Sequence, residues 1–254
     1  EDFLVQLTLN EFRANPRNLD DDPVALERSF ADFRLKLDPF ELDLGQLVVR
    51  QNGNQIVLDG SLKTEGENWA YALNGHLDEV VPESVLALWP KSFKHKLRKW
   101  IDENIYKATL HDIDLAVRSR GAEPPEIYVD FQFRDVDIKP VKTMPPVRDG
   151  IGFGVLKNHQ LHITAEAGYV EADQGGRMDV AGTNMVILDT RIKQSPAVVR
   201  AQARGPVEAV LSLLDRKPLE LFTKAKLPVD FASGHAELAG TVKQVLKDKL
   251  PIEE

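Results

Sequence analysis

Apolar and polar residues alternate along most of this chain. Residues 127–134 (Ile-Tyr-Val-Asp-Phe-Gln-Phe-Arg) give the clearest case, because every second side chain in that segment is strongly apolar. A period of two is typical of a β-strand that buries one face. Similar segments recur through most of the 254 residues. The pattern therefore predicts a mainly β protein: an antiparallel, curved open sheet, apolar on one face, with a few short helices.

Short polar turns separate the first strands and predict a β-meander over residues 1–80. The Gln51-Asn52-Gly53-Asn54 sequence is typical of a tight hairpin, and Gly45 is placed where a β-bulge would fit. Residues 24–30 are predicted as a helical turn or a loop. Each predicted strand follows its neighbour, so the sequence indicates sequential antiparallel pairing.

A helical insert is predicted over residues 81–104. Pro82 suits the first turn of a helix, and a second helix from about residue 92 to 104 places Leu97, Trp100 and Ile101 on one face. Five Lys and Arg residues lie between Lys91 and Lys99. They fit a solvated helix face whose apolar side caps the sheet, which we favour, and they also fit contact with anionic lipid headgroups.

A second meander is predicted over residues 105–204, with strands near 127–134, 151–156, 161–167, 177–188 and 197–203. A short helix follows at 205–225, and a further β segment starts within 226–254. Strands followed by a short helix thus occur twice, which indicates a weak internal repeat. We expect one continuous module of a longer protein, since the chain is already strand-like just after Glu1.

Composition and charge exclude several functional classes. Hydrophobic residues make up 43% and charged residues 28% of the chain, as in an ordinary globular protein. The net charge of -8 opposes general nucleic-acid binding, because the phosphate backbone would be repelled. The chain contains no Cys, which excludes disulfides and thiolate metal sites. No apolar run is long enough to span a bilayer, so membrane attachment is expected only through regions outside this sequence.

The sequence offers little support for catalysis. The glycines at 150, 152 and 154 are followed by a predicted strand and not by the helix that would receive a phosphate. The histidines at 159 and 162 are three residues apart, a spacing that sends strand side chains to opposite faces. The Asp-x-Asp pairs at 112–114 and 135–137 are expected to share a strand face but have no acid/base partner at motif spacing. We expect no enzyme, no metal site and no cofactor.

Several short motifs resemble a known family. Leu88-Trp89-Pro90, followed by Arg98-Lys99-Trp100-Ile101 and a strand, resembles a stretch in the central region of large AsmA-like envelope proteins of the YhdP and TamB type. Residues 133–138, 144–147 and 152–156 are similar to downstream parts of that pattern, whereas residues 104–107 lack its usual glycine. The resemblance implies a periplasmic β-groove, anchored in the inner membrane, that conducts phospholipid acyl chains between membranes. It also implies a role in outer-membrane biogenesis.

An apolar sheet face has a physical reason to bind lipid. An acyl chain in water exposes CH₂ groups at about 0.8 kcal/mol each, so an apolar trough lowers the barrier to transfer. The candidate lipid-binding residues are Ile113, Leu115, Val117, Ile127, Val129, Phe131, Phe133, Leu161 and Ile163. Taken singly, they fit packing against a second layer better, as in a β-sandwich. The resemblance shifts the prediction to phospholipid binding; the alternative is a non-enzymatic scaffold that binds other envelope proteins.

Overall fold

The protein is mainly β, as predicted. The computed structural model describes residues 1–14, 24–51, 53–88, 95–121, 123–140, 143–192, 194–217, 220–228 and 231–245. These residues form one antiparallel sheet of thirteen strands and four short helices. The strands are β1 (Asp2–Ala14), β2 (Val24–Leu37), β3 (Phe40–Gln51), β4 (Asn54–Glu65), β5 (Asn68–Val80), β6 (Ile105–Ser119), β7 (Glu126–Ile138), β8 (Val147–Lys157), β9 (Gln160–Glu171), β10 (Arg177–Asp179), β11 (Asn184–Ile187), β12 (Pro196–Pro206) and β13 (His235–Val245). The helices are α1 (Pro82–Leu88), α2 (His95–Asn104), α3 (Val207–Leu214) and α4 (Leu221–Ala225).

Strand order follows chain order from β1 to β10, so the predicted sequential antiparallel pairing is confirmed for these strands. After β10 the order differs, because β11 lies between β9 and β12, and β13 pairs with β12. The strand predicted over residues 177–188 is instead interrupted. Arg177 pairs with Glu171 and Asn184 pairs with Thr164, so β10 and β11 keep one register against β9. Between them Gly182 adopts a φ of 87° and donates its N–H to the Ala165 carbonyl. The two short strands thus share one position between β9 and β12.

Contacts between Cα atoms divide the chain into two compact units. Unit 1 comprises Glu1–Lys99, Leu110–Gln132 and Leu156–Asn158, and unit 2 comprises Trp100–Thr109, Phe133–Val155 and His159–Glu254. Unit 1 therefore contains β1 to β5 with the greater part of β6. Unit 2 contains β9 to β13 together with α3 and α4.

The prediction of a helical turn or loop at residues 24–30 was wrong, because this segment forms the first half of β2. Ser29 lies opposite Leu9 of β1 on one side and opposite Val49 of β3 on the other. Pairing on both sides satisfies the backbone N–H and C=O groups of the strand. This gain outweighs the helical preference of the local Ala-Leu-Glu-Arg sequence, since propensity is a weak determinant beside tertiary pairing.

The predicted bulge and hairpin are both confirmed. The register between β2 and β3 moves from the Asp32–Gln46 pair directly to the Phe33–Leu44 pair, which leaves Gly45 as the extra residue. A Cβ at position 45 would collide with the Asp32 carboxylate. At the hairpin, Gln51 pairs with Asn54, and Gly53 adopts the positive φ of 79° that a tight turn requires.

Two short helices occur at each helical interruption of the meander. α1 and α2 lie between β5 and β6, which pair with each other, and α3 and α4 lie between β12 and β13, which also pair. The single short helix predicted over 205–225 is thus two helices. Residues 91–94, where part of the predicted basic helix falls, lie outside the described residues, and α2 begins at His95.

A small closed core lies beneath α3 in unit 2. Met178 is completely buried there and Val210 is 7% exposed. The residues of this α3 core are Ala172, Met178, Ala203, Ala209, Val210, Leu213, Leu214 and Ala236. The loop before β10 holds the helix, because the Gln174 N–H donates to Ser212 Oγ at 3.2 Å and Arg216 forms an ion pair with Asp173 at 2.8 Å.

Candidate functional site

The strand register of unit 1 brings apolar side chains onto one face of the sheet. Side chains that lie directly opposite each other on paired strands share a face. One row begins with Val5 opposite Phe33 and continues through Leu44, Gly60 and Leu73 to Val117. Neighbouring rows have the same character. We call this set the apolar face: Phe3, Val5, Leu7, Leu9, Ala31, Phe33, Leu35, Leu37, Phe40, Leu42, Leu44, Leu47, Val49, Ile56, Leu58, Gly60, Leu62, Trp69, Tyr71, Leu73, Gly75, Leu77, Ile113, Leu115 and Val117.

The opposite face of the same strands is polar. Its cross-strand pairs include Asp2 with Lys36, Arg34 with Asp43 and Glu41 with Lys63. Arg34 forms a 2.8 Å ion pair with Asp2, which lowers the pKa of that carboxyl group through the hydrogen bond. A short apolar row of Phe30, Val48 and Val57 interrupts this face. Unit 1 is therefore an amphipathic sheet with two chemically different sides.

Side chains on the apolar face remain accessible. Among its large apolar residues only Ile113 is buried, at 7% exposure; the others are half-buried or exposed. Phe3 is 42% exposed and Trp69 is 48% exposed. The inner face of a sandwich would instead interdigitate with a second sheet about 10 Å away and lose its contact with water. The described residues of unit 1 therefore leave this face without a complete second layer.

The composition of the buried residues agrees with this local observation. Ten hydrophobic residues are buried in the described part of the chain, and five of them are alanines. Most large apolar side chains are thus half-buried or exposed.

One such lateral contact lies at the centre of the apolar face. Leu58 and Leu115 flank Gly75 on the neighbouring strands β4 and β6. A Cβ at position 75 would lie 2.6 Å from Leu58 Cδ2 and 2.9 Å from Leu115 Cγ. The absence of a side chain at Gly75 therefore lets the two leucines approach each other across β5.

Six of the nine predicted lipid-binding residues lie in unit 1. Ile113, Leu115 and Val117 belong to the apolar face, opposite Leu77, Gly75 and Leu73 of β5. Strand alternation also assigns the odd-numbered β7 residues to this face, because Tyr128 lies beside polar-face residues. These three residues are Ile127, which is 39% exposed, and the half-buried Val129 and Phe131.

The other three predicted residues lie in unit 2. Phe133 is 8% exposed, and its ring packs over Gly152, where a Cβ would lie 2.7 Å from Phe133 Cζ. Leu161 and Ile163 lie opposite Ile187 and Met185 of β11 and are half-buried. The glycine-rich stretch 150–154 lies within β8, as expected, and at Gly152 it makes room for an aromatic ring.

Sequence reasoning missed the larger part of the apolar face. Residues of β2 to β5 such as Leu44, Leu58 and Leu73 were not among the predicted site residues. Their strands show the same alternation as β6 and β7, and this signal was available in the sequence. What the sequence lacked was the register, which shows that these residues share a face with Leu115.

The polar face of unit 1 carries a hydrogen-bonded cluster around His76. The Nδ1 atom of His76 lies 2.7 Å from Asp114 Oδ1, and its Nε2 atom lies 3.5 Å from Asp78. The hydrogen bond to Asp114 raises the pKa of His76, and the nearby Asp78 and Asp112 charges add to that effect against the opposing effect of burial. His76 and Asp114 of this cluster, together with Tyr128, are among the residues that line a shallow depression of about 320 Å³.

Nothing in that depression points to covalent catalysis or metal binding. No Ser, Thr, Cys or Lys lines it. In the described ranges no group of three or more His, Cys, Asp and Glu residues has an arrangement that could hold a metal ion. His159 lies in the β8–β9 turn at a φ of 62°, whereas His162 lies on β9.

The Asp-x-Asp pairs lie within continuous strands. Asp112 and Asp135 adopt left-handed φ values of 49° and 54°, and β6 and β7 continue past these residues. Aspartate enters this conformation more readily than most residues because its short side chain can hydrogen-bond locally. Asp137 pairs with Arg148 at 2.6 Å and accepts the Asp149 N–H. These carboxylates therefore take part in local ion pairs and hydrogen bonds within the sheet.

Comparisons with models of protein families, with curated proteins and with solved structures found no match to this chain. The resemblance to AsmA-like proteins therefore stays a prediction from the sequence motifs.

No helix in the described ranges has the length and apolar character needed to cross a membrane.

Proposed function

We propose that this chain is a lipid-handling segment whose apolar face binds phospholipid acyl chains. One observation carries the proposal: the register of β1 to β6 makes a continuous apolar surface whose large side chains are half-buried or exposed, with Ile113 as the exception. An extended apolar surface on a water-soluble domain commonly marks a binding surface. A ligand of this surface needs only an apolar surface of its own, and acyl chains have one.

The dimensions of the apolar face suit an acyl chain. Six strands at a spacing of about 4.8 Å give a width of about 24 Å across the sheet. The hydrocarbon core of a bilayer is about 30 Å thick, so one leaflet's chains extend about 15 Å. A full acyl chain thus fits within the face, and each CH₂ group removed from water contributes about 0.8 kcal/mol.

The motif resemblance supports a specific cellular setting for this activity. AsmA-like proteins are expected in the periplasm, anchored in the inner membrane, and the absence of Cys is compatible with that compartment. In that setting the chain conducts or shields acyl chains between the inner and outer membranes. Binding requires no catalytic group, in keeping with the expectation that the protein is not an enzyme.

A non-enzymatic scaffold for other envelope proteins is the second candidate, and the edge of the sheet favours it. β1 pairs with β2 alone among the described strands, and its Leu4 is 86% exposed. An edge strand of this kind can add a strand from a protein partner. In this function protein would bind at β1, and the apolar face would have no lipid ligand.

Site-specific photo-crosslinking separates the two candidates. A photoreactive residue at Leu73 or Leu115 would report from the apolar face, and one at the adjacent Ala72 or Ala116 would report from the polar face. We expect phospholipid adducts in cells at Leu73 and Leu115 and none at the two alanines. Protein adducts alone, or equal lipid capture at all four positions, would contradict lipid binding by this face.

A further inference from the structure

The apolar face changes in character along the strands of unit 1. At one end Phe40 and Trp69 form an edge-to-face ring pair with centroids 5.4 Å apart. The next row runs from Phe3 on β1 to Tyr71 on β5. We call these four residues the aromatic end. The row through Leu77, at the other end of β5, contains no aromatic side chain, and its apolar members, which we call the aliphatic end, are Leu9, Val49, Ile56, Leu77 and Ile113.

Hydrogen-bond donors accompany the aromatic end. The indole N–H of Trp69 and the hydroxyl of Tyr71 are donors on otherwise apolar side chains. Trp69 is 48% exposed and Tyr71 is half-buried, so a ligand can reach both. The row of the aliphatic end includes the hydroxyl of Ser29, but Ser29 is only 4% exposed. In the described rows of β1 to β6, accessible side-chain donors therefore lie at the aromatic end.

A fatty acid or a phospholipid has two matching parts. Its carboxyl or ester oxygens accept hydrogen bonds, whereas its acyl chain has only apolar surface. Trp and Tyr rings are enriched at the headgroup level of membranes, because they combine an apolar body with a polar atom. Strand residues are about 3.4 Å apart. An acyl chain of about 15 Å that starts beside Tyr71 therefore extends along β5 as far as Gly75.

We propose that a lipid on the apolar face lies along the strands, with its polar end at the aromatic end and its acyl chain directed towards the aliphatic end. Trp69 Nε1 and the Tyr71 hydroxyl donate hydrogen bonds to its carboxyl or ester oxygens. This inference rests on the proposed function, and it adds the direction of the ligand and the residues that set it. A chain that lay across the strands would instead place all its carbons at one level between the two ends.

Spin-labelled stearic acids test this orientation on the unmodified protein. A label near the carboxyl group should broaden the methyl signals of Leu62, which lies opposite Tyr71, more than those of Leu77 at the aliphatic end. A label near the methyl end of the chain should broaden Leu77 more than Leu62. The opposite preference, or the same preference with both labels, would overturn the orientation. Broadening of neither leucine by either label would contradict acyl-chain binding itself, so the two failures are distinguishable.

Removal of the two donors provides a second readout. The combined Trp69→Phe and Tyr71→Phe substitutions keep an aromatic ring at both positions, and the loss of two hydrogen bonds should weaken stearic-acid binding about tenfold. Ser29→Ala, which removes a hydroxyl at the aliphatic end, is the matched control and should bind like the wild type. Isothermal titration calorimetry gives the dissociation constants, and circular dichroism checks that each variant is folded. An unchanged constant in the double variant, or an equal loss in the control, would overturn the assignment of Trp69 and Tyr71 to the polar end of the lipid.

Discussion

The α3 core and the apolar face contain similar residue types but differ in their burial. Met178 is completely buried and Val210 is 7% exposed beneath α3, whereas Leu44, Leu58 and Leu73 on the apolar face all remain half-buried. The difference lies in the covering element, since α3 packs against β10, β12 and β13. An apolar sheet face is shielded from water only when a second layer packs on it, whatever residues the face contains. The uncovered leucines of unit 1 are thus available to a ligand.

The largest expected effect comes from a cavity in the α3 core. Met178→Ala should lower the free energy of unfolding by about 3 kcal/mol, because a fully buried side chain is removed and the site relaxes only in part. Leu73→Ala on the apolar face is the matched comparison and should cost only about 1 kcal/mol, because water already reaches that site. Urea unfolding followed by circular dichroism measures both. Equal losses would mean that the apolar face is packed like a core.

Two glycines with left-handed φ values, one against α3 and one in unit 1, allow the two regions to be compared again with a smaller expected effect on stability. Gly175 has a φ of 82°, and a Cβ there would collide with the backbone of Ala209 in α3. Gly53 has a φ of 79°, but nothing lies within 4 Å of its missing Cβ. Gly175→Ala should therefore destabilise the fold by about 2–3 kcal/mol, and Gly53→Ala by about 1 kcal/mol. A reversed order in urea midpoints would contradict the close docking of α3.

A polar substitution on the apolar face should weaken acyl-chain binding more than it lowers the stability of the fold. Leu115→Asn removes apolar area beside Gly75 and should weaken fatty-acid binding about tenfold, a change of about 1.4 kcal/mol. The control is Ala116→Asn, one residue away on the polar face. Fluorescent fatty-acid titration gives the dissociation constants. If both variants bind equally, acyl chains do not contact this face.

The smallest expected effect concerns pH and the polar face. The pKa of His76 is raised above its ordinary 6.5 in the folded state, chiefly by the hydrogen bond to Asp114. Its stabilisation is therefore complete below the unfolded value and is lost as the pH rises through the raised folded value. The imidazole is 44% exposed, so we expect only a few tenths of a kcal/mol.

His76→Gln and Asp114→Asn should each remove this component of the pH dependence. Urea midpoints at about pH 5.5 and about pH 8.5 bracket the ordinary histidine titration. The wild type should lose slightly more stability than either variant between the two values. An identical change in all three proteins would show that the His76–Asp114 pair contributes nothing to folding.

Much of the fold followed from local signals in the sequence. Alternation located most strands, and the hairpin at Gly53 and the bulge at Gly45 were identified because glycine relieves a steric restriction at both positions. Residues 24–30 were misread because a strand paired on both sides can contain a helix-forming sequence. The interruption at Gly182 was also missed, since neighbours on β9 and β12 fix it.

The candidate site was predictable only in part, because faces depend on register. Alternation along β6 identified Leu115 and Val117, but it could not show that Leu44, Leu58 and Leu73 share their face. The burial of these side chains could not be predicted from the sequence either. An apolar strand face has the same sequence pattern whether or not a second layer covers it. Sequence alone therefore favoured sandwich-like packing for each residue taken singly, whereas the side chains on the apolar face of unit 1 are accessible.

Methyl NMR with a spin-labelled fatty acid tests the central claim most directly. The spin label broadens only those methyl signals that it approaches. If the apolar face binds acyl chains, the methyl signals of Leu58, Leu73 and Leu115 should broaden, while those of Met178 and Val210 in the α3 core stay sharp. Equal broadening in both regions, or none on the apolar face, would contradict the account.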